Sequence, residues 1–145
     1  NSLNKKKTIF VRNPKFNRPW QHVLEPLYGY LILGQKLYQN PKKYSGSWNF
    51  GTKKNTVTNV ITIVKYIIKI WGAGRIKINN KQKYYEQINL QLDISKALKV
   101  LKWKPKYTIF KSVKVTVDWY KNFLLKKISA EQITKQQIKD YLDDK

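Results

Sequence analysis

The apolar positions of this chain recur with two rhythms, and each rhythm predicts a kind of element. Thr8-Ile9-Phe10-Val11 is a short β-prone run that Arg12, Asn13 and Pro14 stop, so residues 8 to 12 predict a strand and Pro14 to Arg18 a loop. Trp20 to Val23 reads as a short extended piece. From about Pro26 to Tyr38 the spacing turns helical, with Leu27, Leu31, Gly34 and Tyr38 recurring on one face. Pro26 suits the first turn of that helix, and Asn40-Pro41 ends it. After a loop of Lys, Tyr, Ser and Gly, Ser47 to Phe50 predict a short strand closed by Gly51.

The second half repeats the alternation. A helix begins at a Thr56 or Thr58 cap and runs to Trp71, with Val57, Ile61, Val64, Ile68 and Trp71 on its inner side, and Gly72-Ala73-Gly74 stops it. Arg75 to Ile78 and Ile88 to Leu92 alternate as half-buried strands do, with a turn at Asn79-Asn80 between them. Asp93 caps a short helix, Ile94 to Leu101, which Trp103-Lys104-Pro105 breaks. Thr108 caps a longer helix whose Val113, Val117, Tyr120 and Leu124 share a face. Ser129 to Gln132 forms a capping box for a last polar helix ending near Leu142. The pattern predicts one α/β domain over residues 8–145, with short strands and about five helices, after a basic, frayed segment at residues 1–7.

Composition narrows the chemistry. The 145 residues are long enough for one real core. With no cysteine and one histidine, the chain has neither thiolate chemistry nor a Cys- or His-rich metal cluster. No run of 18 apolar residues occurs, so no membrane span is predicted, and a basic start without an apolar stretch behind it argues against a signal peptide. A cytoplasmic location is the expectation. Thirty Lys and Arg against eight Asp and Glu leave a net charge of +22, enough to attract polyanions non-specifically. A basic nucleic-acid-binding module is therefore the rival reading, supported by that charge and by ten tyrosines and five tryptophans. Against it, the lysines sit on almost every element instead of one stripe.

Arg12 to Leu33 concentrates the candidate chemistry: two arginines, a tryptophan and the only histidine gather around a loop between a strand and a helix. Within it, RPWQHVLEPLYGYL resembles the signature of the CDP-glucose 4,6-dehydratases, of the extended short-chain dehydrogenase/reductase superfamily. KLYQNPKKYSGSWNFG, then Glu86 through LDISKALKVLKWKP, then VDWYKNFL follow in the order of that family's C-terminal part. The resemblance covers about Ile9 to Tyr141 and implies the C-terminal, substrate-binding part of the enzyme.

That resemblance implies roles for individual residues. Arg18 matches an arginine that contacts the pyrophosphate of a bound sugar nucleotide, which a guanidinium fork suits. Asn49 matches a position whose amide contacts the nucleotide from a strand end. Arg12 matches a residue at a strand end near the nucleotide, with a structural role equally open. Tyr85 stands where the family has a histidine facing the phosphates; it retains one donor, and Lys81 or Lys83 adds charge there. His22 and Glu25 read as structural, the latter as a favourable charge at a helix N-terminus. Tyr28 for serine, Thr52 for proline and Lys102 for glycine are further departures from the family.

The intact enzyme, as the resemblance implies, is a homo-oligomer that uses bound NAD to convert CDP-glucose to CDP-4-keto-6-deoxyglucose, a precursor of deoxysugars in surface polysaccharides. The resemblance implies a C-terminal part lacking the N-terminal dinucleotide-binding Rossmann portion. Its Gly72-Ala73-Gly74 has no preceding strand and no third glycine, and Tyr107 to Lys111 fits the Tyr-x-x-x-Lys spacing only across a predicted helix start. No NAD is expected to bind this chain alone. A cofactor-domain chain, or the missing N-terminal half, is the expected partner. A decayed gene product without present function is compatible with the same resemblance.

Overall fold

The computed structural model describes residues 3, 7–53, 56–79 and 87–144. Among these, β1 (Thr8–Arg12) and β2 (Asn17–Arg18) precede α1 (Leu24–Gln39) and a single turn, α2 (Pro41–Tyr44). Then come β3 (Thr58–Asn59), α3 (Val60–Trp71) and β4 (Arg75–Asn79). A π-helical turn (Ala97–Leu101), α4 (Ile109–Leu124) and α5 (Ala130–Asp143) complete the order. β1 pairs in parallel with β4, Thr8 opposite Arg75 through Arg12 opposite Asn79, and β2 pairs antiparallel with β3. The expected frayed segment 1–7 and the Lys81–Glu86 loop lie largely or wholly outside the described residues.

Caps written locally in the sequence form as the residues dictate. Thr108 Oγ1 accepts from Lys111 N and Ser129 Oγ from Gln132 N, satisfying first-turn donors of α4 and α5. Gly72 closes α3 in the left-handed region at φ 93°, where a side chain would be strained. The start of α3 differs from the expected threonine cap: Asn59 takes the position and accepts from Thr62 N, while Thr58 belongs to β3. The chain also departs from expectation at the end of α1, where Asn40 caps α2 instead of leading into a loop.

The core is built where the two halves of the chain meet. Phe50, Ile94, Ala97, Leu101 and Trp103 form it, with Tyr28, Ile32, Leu33, Tyr44 and Trp48 packed against it. Phe50 and Trp103 meet edge to face, with ring centroids 5.0 Å apart. Helix α1 lies on this cluster, but by a different face from the expected one. Leu31 and Tyr38 are 72% and 92% exposed, and Gly34 faces open space. The inward residues are Glu25 and Gly29, flanked by Tyr28, Ile32 and Leu33. The segment LEPLYGYLIL is apolar on most sides, so spacing alone does not choose a face. Gly29 chooses it: any Cβ there would overlap the Phe50 ring, so only a glycine lets the helix settle this close.

Two strand expectations fail among the described residues. Ser47–Phe50 forms no strand, although Phe50 is in the core. Ile88–Leu92 is also irregular, with an isolated bridge between Asn17 and Asn89, and Ile88, Leu90 and Leu92 are exposed. Trp20–Val23 leads directly into α1, with Val23 already helical. β4 does form but is mostly exposed, not half-buried. The helix expected at Ile94–Leu101 begins at Ser95 and widens to a π turn, and Tyr120 of α4 is exposed where an inner position was expected.

Glu25 is the largest departure from expectation. It is 0% exposed, and its carboxylate ties three elements together. Lys106 N donates to both oxygens at 3.1 Å, Tyr107 N to Oε1 at 2.7 Å and the Tyr141 hydroxyl to Oε2 at 2.8 Å. Trp103 Nε1 donates to the Glu25 backbone carbonyl at 3.2 Å. Burial, and then the hydrogen bond to Glu25, push the Tyr141 phenol far above its ordinary range, which keeps it a donor. A charge at a helix N-terminus is what the sequence suggests; a buried carboxylate joining α1, the turn before α4, and α5 is what the structure contains.

Candidate functional site

The loop between β1 and α1 is fixed by hydrogen bonds to distant segments. Asn13 turns the chain at φ 51°, closed by Phe16 N donating to its carbonyl. The carbonyls of Phe16 and Pro14 accept from Val60 N and Ile61 N, so the loop itself satisfies the first turn of α3. Further on, Trp20 Nε1 donates to Thr58 O and Gln21 Nε2 to Phe50 O. The loop is thus a rigid mount for the side chains it carries.

Arg18 projects from β2 beside the segment that follows residue 86. Its Nη1 donates to Asn17 O at 2.8 Å and to Gln87 O at 2.9 Å, and its guanidinium lies 5.3 Å from the Phe16 ring centroid. Asn49 is exposed, and its Nδ2 donates to Asp93 O at 3.1 Å. Arg18 and Asn49 therefore hold opposite ends of one segment, Gln87 to Asp93, whose reach is at most roughly 20 Å. Arg12 ends β1, exposed and opposite Asn79 of β4. Tyr85, with Lys81 and Lys83, lies outside the described residues. The structure thus relates Arg18 and Asn49 through a shared segment and leaves Arg12 on the neighbouring sheet.

His22 is buried, and its Nδ1 accepts from Leu24 N at 3.4 Å, next to the Tyr107 ring. Burial lowers its pKa, so the neutral imidazole with Nδ1 as acceptor is the resident form. This is a structural histidine, as its sequence context suggests. Tyr107 and Lys111 do meet, with Nζ 4.4 Å from the ring centroid, but Lys111 is paired with Asp144 at 2.8 Å. Burial and the nearby Asp144, Asp140 and Glu25 carboxylates raise the Tyr107 phenol, the opposite of what a tyrosinate base requires.

The cofactor chemistry of a dinucleotide loop needs a glycine turn that leaves a strand and opens a helix. Gly72-Ala73-Gly74 runs the other way: Gly72 N donates to Ile68 O to close α3, and β4 follows at Arg75. These three glycine-turn residues thus close a helix and lead into a strand, the reverse of a dinucleotide loop. Among the described residues there is also no group of three His, Asp or Glu side chains able to hold a metal ion. No helix among them is long and apolar enough to cross a membrane.

No protein-family model matches the chain. It is 34% identical over 145 residues to a CDP-glucose 4,6-dehydratase of Salmonella typhimurium, a match that covers 97% of this chain and 39% of that relative. Among solved structures it superposes on a variant of UDP-glucuronic acid 4-epimerase from Bacillus cereus, in complex with UDP-4-deoxy-4-fluoro-glucuronic acid and NAD. The TM-score is 0.67 at 18% identity, over 84% of this chain and 38% of that one. The same epimerase with NAD alone gives 0.66 at 17% identity, over 89% and 38%. The chain spans about two-fifths of the length of these proteins. Its mixed α/β architecture matches the C-terminal portion of extended short-chain dehydrogenases/reductases, and the resemblance read from the sequence is borne out.

Proposed function

We propose, starting from a chain that carries the C-terminal portion of the extended short-chain dehydrogenase/reductase fold and resembles a CDP-glucose 4,6-dehydratase along nearly its whole length, that it forms the substrate-binding portion of such an enzyme. The single observation that carries this reading is the 34% identity sustained over 97% of the chain. In this reading Arg18 and Asn49 hold the nucleotide diphosphate of CDP-glucose, and Arg12 and Tyr85 are the further substrate contacts. That both residues border one segment, Arg18 at Gln87 and Asn49 at Asp93, supports it.

When bound by a complementary N-terminal portion, NAD would accept and return the hydride that C4 oxidation and C6 reduction require. The residues of this chain would orient the nucleotide and leave that chemistry to the other portion. We therefore propose no dehydratase turnover by residues 1–145 alone, even with NAD added. The outward face of α1, with Leu27, Leu31 and Tyr38 exposed, supports a packed partner there.

The test is calorimetric titration of CDP-glucose into this chain joined with a cofactor portion from a related enzyme. Arg18→Ala is expected to weaken binding by about 1.5 to 3 kcal/mol, the range for a hydrogen bond to a charged group. Unchanged affinity removes Arg18 from the site. Formation of the 4-keto product by this chain alone would overturn the division of labour. Sequence-selective DNA binding that survives about 200 mM salt would favour the nucleic-acid reading, since attraction driven by charge alone falls steeply with salt.

A further inference from the structure

The segment entering α1 meets one face of α4 and one of α5 around a cavity of about 440 Å³, within the size range of small-ligand sites. Among the described residues, no charged side chain lines it. In a chain with thirty Lys and Arg and eight Asp and Glu this is unusual, and the cavities near Thr52, Lys135 and Leu98 each have Lys or Asp on their walls. Trp119 and Tyr120 of α4 supply aromatic surface, with Tyr120 51% exposed. The Trp119 ring is held in place: its Nε1 donates to Thr134 Oγ1 at 3.0 Å, and the Phe123 ring packs against it with centroids 5.2 Å apart.

Three lining residues have hydrogen-bonding capacity that the fold does not use. Nδ1 of His22 accepts from Leu24 N, so the hydrogen of the neutral ring is on Nε2, which makes no hydrogen bond among the described residues and is not sealed from open space. Burial lowers the His22 pKa, so the ring stays uncharged. Gln137 Nε2 donates to Val115 O at 2.8 Å, which fixes the amide and leaves Oε1 as an acceptor, likewise unpaired and open. The Thr134 hydroxyl accepts from Trp119 and has its own hydrogen to give. A donor, an acceptor and a hydroxyl thus come from the entry to α1 and from α5, beside the aromatic rings of α4.

An ionic ligand would lose its water here without meeting a countercharge. A purely apolar one would leave the His22 N–H and the Gln137 side-chain oxygen unpaired. A sugar ring has an apolar C–H face for the aromatic rings, and hydroxyls that both donate and accept, which suits a lining of mixed polarity. We propose that this cavity binds a neutral mono- or disaccharide, with a ring face against Trp119 and Tyr120 and hydroxyls bonded to His22 Nε2, Gln137 Oε1 and Thr134 Oγ1. None of Arg12, Arg18 and Asn49 lines it, so the site is separate from the proposed nucleotide contacts.

The experiment is an NMR titration of the whole chain in about 150 mM NaCl, where exposed charges are screened over roughly 8 Å. The probes are methyl β-D-glucopyranoside, maltose, glucose 6-phosphate and benzyl alcohol. Saturable shifts of the Trp119 indole N–H, of His22 Nε2 and of the Tyr120 and Thr134 amides are expected with the glucoside or with maltose. Glucose 6-phosphate should bind no tighter, and benzyl alcohol more weakly. Tyr120→Ala should weaken sugar binding about tenfold, the upper end for one aromatic contact. Thr134→Val should weaken it about two- to tenfold, the loss of one neutral hydrogen bond. Both residues are exposed, and an unchanged signal from the Trp103 indole, whose N–H is held by the Glu25 backbone carbonyl, shows that the variants are folded. No saturable shift with either sugar, benzyl alcohol binding as tightly as the sugars, tighter binding of glucose 6-phosphate, shifts centred on Arg18 and Asn49, or either variant binding like the parent would each overturn the proposal.

Discussion

Removing one oxygen atom, through Tyr141→Phe, tests what holds the two ends of the domain together. The ring stays in place against Tyr107 and Tyr28, with centroids 5.1 and 5.8 Å away, so packing changes little. What is lost is a 2.8 Å donor to a carboxylate that is 0% exposed. Oε2 then retains only Lys106 N at 3.1 Å, which it shares with Oε1. A hydrogen bond to a charged group contributes about 1.5 to 3 kcal/mol. A carboxylate acting only on the dipole of α1 would feel nothing from Tyr141, so the two readings differ by that whole amount. For a chain of this length the loss corresponds to a fall in Tm of roughly 5 to 12 °C, at about 3 to 4 °C per kcal/mol. Urea unfolding followed by circular dichroism measures it directly. In a Glu25→Gln background the same deletion removes only a neutral hydrogen bond, about 0.5 to 1.5 kcal/mol. A loss below about 0.5 kcal/mol, or equal losses in the two backgrounds, would refute the view that Glu25 is a buried charge held by donors.

Other expected outcomes follow from single positions. Lys102 sits in the left-handed region at φ 57°, exposed, so Lys102→Gly should raise stability by about 1 kcal/mol in urea melts; a loss would show that the side chain has an unrecognised role. Gly29→Ala should destabilise by at least 1 to 3 kcal/mol, as roughly expected for overpacking, because the new methyl meets the Phe50 ring, and a neutral result would mean that α1 can lift away from the core at no cost. His22 has a lowered pKa when folded, so the unfolded chain binds a proton first as pH falls. Its contribution is complete above pH of about 6.5 and is lost below it, at no more than about 1.4 kcal/mol per pH unit. Urea midpoints from pH 7.5 to 5.5 should therefore drop more steeply for the parent than for His22→Asn, and parallel profiles would refute the buried neutral imidazole.

What could be read from the sequence divides by distance along the chain. The caps at Thr108 and Ser129 and the stop at Gly72 each depend on residues within four positions, and the structure has them where local chemistry puts them. The face of α1 depends on Phe50, 21 positions beyond Gly29, and no periodicity in an almost uniformly apolar helix can express that. Lone glycines inside helical patterns are the one available signal, and of Gly29 and Gly34 it is the first that carries the contact. Glu25 was harder still, since its partners lie 81 to 116 positions away. That it is the only acidic residue before Glu86 was visible, but not what it would meet. For the candidate site, the family resemblance pointed to Arg18 and Asn49, while the Gln87–Asp93 segment that relates them became visible only in three dimensions.

The pairing of β1 with β4 has a consequence for how this protein behaves in concentrated solution. Among the described residues each strand has one neighbouring strand, and Phe10 and Ile78 stand 68% and 48% exposed upon them. A flat apolar edge of this kind is a template for a strand from another molecule. Parallel sheets are ordinarily covered on both faces, which makes the bareness of this one more hazardous. Arg12, Arg75 and Lys77 lie on the same two strands, and like charges on approaching edges repel. For two copies approaching along β1 and β4, that repulsion opposes the pairing which the exposed apolar residues favour.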